Sequence, residues 1–452
     1  MHHKALSPTR KILNLAIPAT IENLLQTMMG FVDGLMVARI GLLAVTAVGL
    51  ANTILAVYLA IFLALGIGTA SLIARYLGDK KVTAAKEIVS QSTFIAILVG
   101  ALFSVLTLLF ASPLLQLMGA KDSVLVYAVP FLSIVGGSSV FISLMTVWGS
   151  VLRAAGDTKT PMKISFVINI LNVLLNYILI FGIGFIPAFG VVGSAIGTVI
   201  ARLIGCLLLY MKIQQTDFHL SFRKLFRKSN YSALIRLSIP AALERLVMRL
   251  GQVLYFSLIV AVGIKTYAAH SIAGTIESFT YMPGYGFAIA ATTLVGMSVG
   301  AKNYQEAKQL GFLSAKIGLI IMSAFGAVLF FFAPVFGSWF TQDPEALHKI
   351  IIALRIDAFI QPILAISLIL TGALQGLGDT KSPLYSTVIG MWGVRIIGVI
   401  IFSLWLQMDI AGIWLSIGLD LLLRSIYLTY RFRKKIAQKS TLFAKKQELK
   451  DV

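Results

Sequence analysis

Apolar residues run in long stretches from one end of the chain to the other, and polar residues collect in the short gaps between them. Crossing the hydrocarbon of a bilayer takes a helix of roughly 20 apolar residues. Twelve such runs can be placed, with cores near 13–37, 43–73, 88–110, 124–151, 164–183, 191–211, 233–260, 267–299, 311–336, 347–374, 384–406 and 410–430. The pattern predicts an all-α polytopic membrane protein with twelve transmembrane helices. Its continuous apolar runs show no alternation of the kind a strand requires.

The runs repeat in register. Ile17-Pro18-Ala19-Thr20-Ile21-Glu22 returns as Ile239-Pro240-Ala241-Ala242-Leu243-Glu244, and the Gly156-Asp157-Thr158-Lys159 turn returns as Gly378-Asp379-Thr380-Lys381. Both pairs are offset by 222 residues, as Ile17 is from Ile239. Six spans fall in each copy. An even number per copy makes both enter the membrane from the same side, so the expected fold is two six-helix parallel repeats related by an axis along the membrane normal. The expected organisation is an amino-terminal lobe over 1–212, a cytoplasmic linker over 213–230, a carboxyl-terminal lobe over 231–434 and a basic tail over 435–452.

Composition agrees with the runs: 58% of residues are hydrophobic, 12% are charged and the mean hydropathy is +0.90. A formal net charge of +20 would suggest nucleic acid in a soluble chain. Here the basic residues lie at the two ends and in every second loop, while the intervening loops hold only Arg39, Lys121, Lys265 and Lys349. By the positive-inside rule both termini are cytoplasmic, in a plasma membrane. The linker charges Arg223, Lys224, Arg227 and Lys228 anchor that loop at the inner surface, and the basic tail meets anionic lipid. The only cysteine, Cys206, can form no internal disulfide. His2 and His3 carry no chemistry, the first apolar run is too long for a cleavable signal, and no nucleotide loop, metal-ligand spacing or catalytic triad is present. An enzyme and an ATP-driven pump are therefore not expected, and no cofactor is.

The -IPA- opening of each half, Gly-Asp-Thr-Lys-x-Pro after each fourth span, and the stretch from Phe31 to Gly41 resemble the multidrug and toxic compound extrusion family, the last being similar to its DinF-like branch. The resemblance covers nearly the whole chain. It implies an efflux antiporter of two six-helix lobes around a central cleft, driven by H+ or Na+. In NorM-like members an acid associated with Na+ stands on the tenth span, whereas this chain reads Gln361-Pro362-Ile363-Leu364 there, with Asp357 further upstream.

Residues shared by both copies read as architecture: Pro18 and Pro240 near helix starts, Glu22 and Glu244 as local polar contacts, and the Gly-Asp-Thr-Lys turns as turn and cap chemistry. Residues that differ between the copies read as chemistry. Asp33 stands where the second copy has Tyr255, about six residues or roughly 9 Å from the outer helix end. A carboxylate at that depth is costly unless paired, hydrated or protonated, and is a functional candidate. Burial disfavours its charged form, which makes it the expected proton-coupling group. Asn169, Asn172 and Asn176 share one helix face and lie at matching depths with Thr198. Their counterparts are Met391, Val394, Gly398 and Asp420. Gln26, Met29, Tyr255, Tyr281 and Met282 are expected to complete a substrate pocket, methionine and aromatic faces suiting varied organic cations.

In the second copy Arg249, Glu277, Asp357, Arg395 and Asp420 lie at one depth near the bilayer midplane and are expected to form a partly neutralised ionic network, either a brace or a binding site. The expected function is a monomeric antiporter exporting amphipathic, mostly cationic compounds against protons. The alternatives are a Na+-coupled exporter, a lipid-linked precursor flippase and, least well matched, a passive channel.

Overall fold

Each of the twelve apolar runs is helical in the computed structural model, which describes residues 7–220 and 230–448. The linker charges Arg223, Lys224, Arg227 and Lys228, together with His2 and His3, lie outside the described residues. Among the described residues the regular structure is helix, joined by short turns and loops, apart from one isolated bridge between Ile183 and Ile186. The helices are α1 (Pro8–Ala38), α2 (Leu42–Gly78), α3 (Val82–Leu117), α4 (Asp122–Gly137), α5 (Ser139–Ala154), α6 (Lys159–Phe181), α7 (Gly190–Gln214), α8 (Ser232–Val262), α9 (Ile264–Thr280), α10 (Met282–Gly300), α11 (Tyr304–Ser338), α12 (Pro344–Leu377), α13 (Lys381–Trp405) and α14 (Asp409–Glu448).

Two of the expected single spans are broken. The run at 124–151 is α4 followed by α5 with a bend of 46°, at Gly136-Gly137-Ser138, where small residues let the ladder open. The run at 267–299 is α9 followed by α10, interrupted at Tyr281 just before Pro283, whose ring cannot continue the preceding ladder. α13 is a third departure. It widens into π turns at Ile389–Arg395 and Ile400–Trp405, a register change that hydropathy does not encode. Ten helices among the described residues are long and apolar enough to cross a membrane, eleven if α4 and α5 count as one. α1, at 31 residues, is long enough but carries Asn23, Gln26 and Asp33 in its second half.

The chain packs as two compact units whose bounds differ from the expected lobes. One comprises Ile21–Ile73 and Lys81–Ala242; the other comprises Met1–Thr20, Ala74–Lys80 and Leu243–Val452. The division of α1 after Thr20 and of α8 after Ala242 falls at equivalent positions of the two copies, each two residues beyond the helix proline, Pro18 or Pro240. The first unit has a core of Val37, Ala51, Phe62, Leu115, Phe131, Leu132 and Ala195. The second has one core around Phe287, Met322, Ile369 and Phe432 and another around Ile259, Leu354, Met391 and Trp414. The expected basic tail is no separate segment as far as it is described: α14 continues through it to Glu448.

The repeated turns match their expected chemistry. Gly156 and Gly378 have φ of +91° and +82°, the left-handed region that glycine enters at little cost. Asp157 Oδ1 then accepts the backbone N–H of Thr160 at 2.9 Å, and Asp379 Oδ1 accepts that of Ser382 at 3.0 Å, each aspartate capping the next helix. The symmetric glutamates meet unlike partners. Arg153 Nη1 donates to buried Glu22 at 2.8 Å, whereas Glu244 accepts from Thr387 at 3.3 Å.

Candidate functional site

In the first unit, four polar residues from three helices form one hydrogen-bonded chain. Asn176 Nδ2 donates to Asp33 Oδ1 at 2.9 Å and to Asn172 Oδ1 at 3.2 Å, and Asn172 Nδ2 donates to Thr198 Oγ1 at 3.2 Å. α6 presents Asn172 and Asn176 on one face because they are four apart, and both are buried. α7 approaches closely because Gly197 has no side chain: a Cβ there would lie 2.3 Å from Asn176 Oδ1. Asp33 is half-buried on α1. A carboxylate held by a buried amide donor is a group whose hydrogen bonding changes when it takes up a proton.

The other residues expected near this chain are placed as follows. Asn169 is half-buried and its Nδ2 has no hydrogen-bond partner among the described residues, so it stands apart from the chain formed by its neighbours. Gln26 is exposed and Met29 half-buried, both on α1 in the same unit. Tyr255, Tyr281 and Met282 belong to the other unit. Tyr281 stacks edge-on against Tyr285 at 5.6 Å. Tyr255 is buried, edge-on to His270 at 5.5 Å, with the Arg395 guanidinium 5.9 Å from its ring centre.

The second unit holds its charges in two groups. Arg395 Nε and Nη2 both donate to Asp420 Oδ2 at 2.8 Å, and Arg424 Nη2 donates to the same oxygen at 3.0 Å. Asp420 is fully buried, and two arginines satisfy it. In a second group Gln361 Nε2 donates to Asp357 Oδ2 at 2.7 Å, with both residues fully buried and Glu277 close enough for its charge to act on Asp357 and on Arg395. Arg249 departs from the expected network: it is exposed and donates to Gln252 on its own helix at 3.2 Å. Depth alone put it with the others; the rotation of α8 turns it away.

The two halves also match one family at equivalent places. The MatE family model covers residues 18–178 and again 240–401, so both copies are instances of one domain. The chain belongs to the MatE family. This MatE chain is a multi-pass membrane transporter and not an enzyme. It is similar to the probable multidrug resistance protein NorM of Thermotoga maritima, 29% identical over 418 residues that cover 92% of this chain and 90% of the relative. The uncharacterized transporter YisQ of Bacillus subtilis is 28% identical over 436 residues, 96% of each chain. In fold it resembles a solved MATE in complex with MaL6, with a TM-score of 0.91, 24% identity and coverage of 96% of this chain and 98% of that one. It also resembles a MOP superfamily transporter from Pyrococcus furiosus described as having a binding pocket of reverse polarity, with a TM-score of 0.90, 23% identity and coverage of 96% and 97%.

Sequence reasoning about the MatE chain missed two arginines as site members. Arg202 on α7 lies one turn beyond Thr198, within range of the charge on Asp33. Arg424, its equivalent in the second copy, is the second cation on Asp420. The signal was present: both copies keep an arginine at this position while the carboxylate within range of its charge moves from the first helix of one copy to the sixth of the other.

Proposed function

We propose that this transporter exports amphipathic, mostly cationic organic compounds in exchange for protons, by alternating access, with Asp33 as the coupling group. The observation that carries this reading is the hydrogen-bonded chain from Asp33 through Asn176 and Asn172 to Thr198. A proton arriving on Asp33 removes the anion that accepts from Asn176. The neutral acid still accepts through its carbonyl oxygen, but it holds Asn176 less tightly and gains an O–H that needs an acceptor of its own. That exchange of partners changes how the first helix is held against α6 and α7, the kind of two-state element that alternating access needs. Protons from outside load Asp33 and release the substrate; the return to the inward state sheds the proton to the cytoplasm. The names of the relatives, multidrug resistance proteins among them, support the substrate class. Both termini in the cytoplasm, a plasma-membrane location, a monomeric working form and placement in the DinF-like branch belong to the same reading.

The test is efflux of a fluorescent cationic dye from proteoliposomes under an imposed pH gradient or an imposed Na+ gradient, with Asp33→Asn beside the unaltered protein. Flux that follows the pH gradient and is lost in the variant supports the reading. A second reading, Na+ coupling, is favoured by Asp357 Oδ1 and Gln361 Oε1, fully buried acceptor oxygens without a hydrogen-bond partner among the described residues. Flux that follows Na+ and survives Asp33→Asn would move the coupling to that pair. No dye flux under either gradient would return attention to a lipid-linked substrate.

A further inference from the structure

The Gly378-Asp379-Thr380-Lys381 turn of the second copy is covered by something its counterpart lacks. α14 runs to Glu448 and sets Arg431, Lys435 and Lys439 four apart, on one face. At the 222-residue offset the first copy has Leu209, Ile213 and Asp217. Arg431 Nε donates to Ser382 Oγ at 3.0 Å, and Ser382 Oγ donates to Asp379 Oδ2 at 2.7 Å. Arg431 Nη2 and Lys435 Nζ each lie 3.9 Å from that same oxygen. Arg75, from the end of α2, packs over the turn so closely that a Cβ on Gly378 would lie 2.6 Å from its Nη1. Lys439 is within range of the charges of Arg75, Lys435 and Asp379.

These cations cannot simply swing apart, because the helix that carries three of them is fastened. Phe432 and Ile436 are buried in the core of the unit. Phe443 packs its ring against Tyr304 at 5.9 Å, with Lys302 Nζ 5.6 Å from its centre. Three cations of α14 therefore crowd one carboxylate whose oxygens already accept from the Ser382 backbone and hydroxyl, and Arg75 packs over the same turn. Like charges one helical turn apart repel, and a further anion would relieve that repulsion. A phosphate brings the needed charge and several acceptor oxygens for guanidinium and ammonium donors.

We propose that Arg75, Arg431, Lys435 and Lys439 form a phosphate-binding site at the second Gly-Asp-Thr-Lys turn. The basic pattern of the sequence assigns this end of the helices to the cytoplasmic surface, the level of the headgroup phosphates of the inner leaflet. The phosphate is therefore that of an anionic lipid or a free anion from the cytoplasm. The site is independent of the ion that drives transport.

The test uses the purified full-length protein in a neutral detergent. Its thermal unfolding is followed while inorganic phosphate, short-chain phosphatidylglycerol or short-chain phosphatidylcholine is titrated in. A saturable rise in Tm with phosphatidylglycerol, weakened by added NaCl and smaller with phosphatidylcholine, is expected. The same rise with inorganic phosphate would identify a free anion as a sufficient ligand, and its absence would identify the lipid headgroup. Lys435→Gln with Lys439→Gln should weaken binding about tenfold through loss of two charge-assisted contacts, and Lys435→Arg with Lys439→Arg should restore it. In the unaltered protein, the bound probe should slow acylation of Lys435 and Lys439 relative to exposed Lys434. A rise equal for all lipids, unchanged by the glutamine substitutions, or an absence of saturable binding with no protection of the two lysines, would overturn the proposal.

Discussion

Asn176 donates from one amide nitrogen to both Asp33 on α1 and Asn172 on its own helix, at 2.9 and 3.2 Å. The carboxylate is thus tied to the end of a chain of amides, and any change in its charge is felt by α6 and α7 together.

If Asp33 and Asn176 act as one device, their losses should not add. Asp33→Asn and Asn176→Ala are each expected to lower the initial rate of gradient-driven dye efflux severely, and the double variant is expected to be no worse than the more damaging single one. Rates in proteoliposomes at matched protein content check this. Fully additive losses would separate the two residues.

Gly197 is expected to tolerate no side chain. A Cβ there would meet Asn176 Oδ1 at 2.3 Å and the Asn176 backbone nitrogen at 3.2 Å. Gly197→Ala must therefore push α7 off α6 or turn the Asn176 amide away, at a cost of about 1–3 kcal/mol. Transport should fall with it, while Gly30→Ala on α1, where a Cβ would meet nothing within 4 Å, should leave thermal stability nearly unchanged.

If the buried Asp420 group is a brace, losing its anion should cost stability. Asp420→Asn would leave Arg395 and Arg424 without the anion both of them bond, and should destabilise the protein by about 3–5 kcal/mol. Arg249→Ala, which removes an exposed hydrogen bond to Gln252, should cost no more than about 0.5 kcal/mol. Thermal unfolding in detergent separates the two. Equal effects would restore Arg249 to the network.

Glu22 and Arg153 form a largely buried pair at 2.8 Å. Glu22→Gln alone should cost up to roughly 3 kcal/mol, because it removes the carboxylate that Arg153 Nη1 bonds and leaves the guanidinium its contact with Ser150 Oγ. Replacing both, with Glu22→Gln and Arg153→Met, should recover a good part of that loss in the same unfolding measurement. A double variant as unstable as the single one would show that Arg153 has a more important partner than Glu22.

The candidate residues divide instructively. Asp33, Asn172, Asn176 and Thr198 were legible because each has an unlike counterpart 222 residues on and because helix spacing puts the asparagines on one face. Asn169 obeys the same spacing yet stands apart, since a face is wider than one hydrogen-bonded line. Arg249 shares its depth with Asp420 but not its direction. Arg202 and Arg424 are alike in both copies and so carry no asymmetry that marks them as site members.

Hydropathy, the internal repeat and the placement of basic residues were sufficient to determine an all-helical membrane protein built from one six-span unit used twice, because the cost of burying backbone and charge in hydrocarbon leaves few other solutions. Tertiary structure decided what depends on helix rotation and close approach: the breaks at Ser138 and Tyr281, the π turns around Arg395, the packing of the start of α1 with the second copy, and the basic end of α14 over the second turn. Those follow from side chains far apart in sequence competing for the same space, which no local pattern along the chain records.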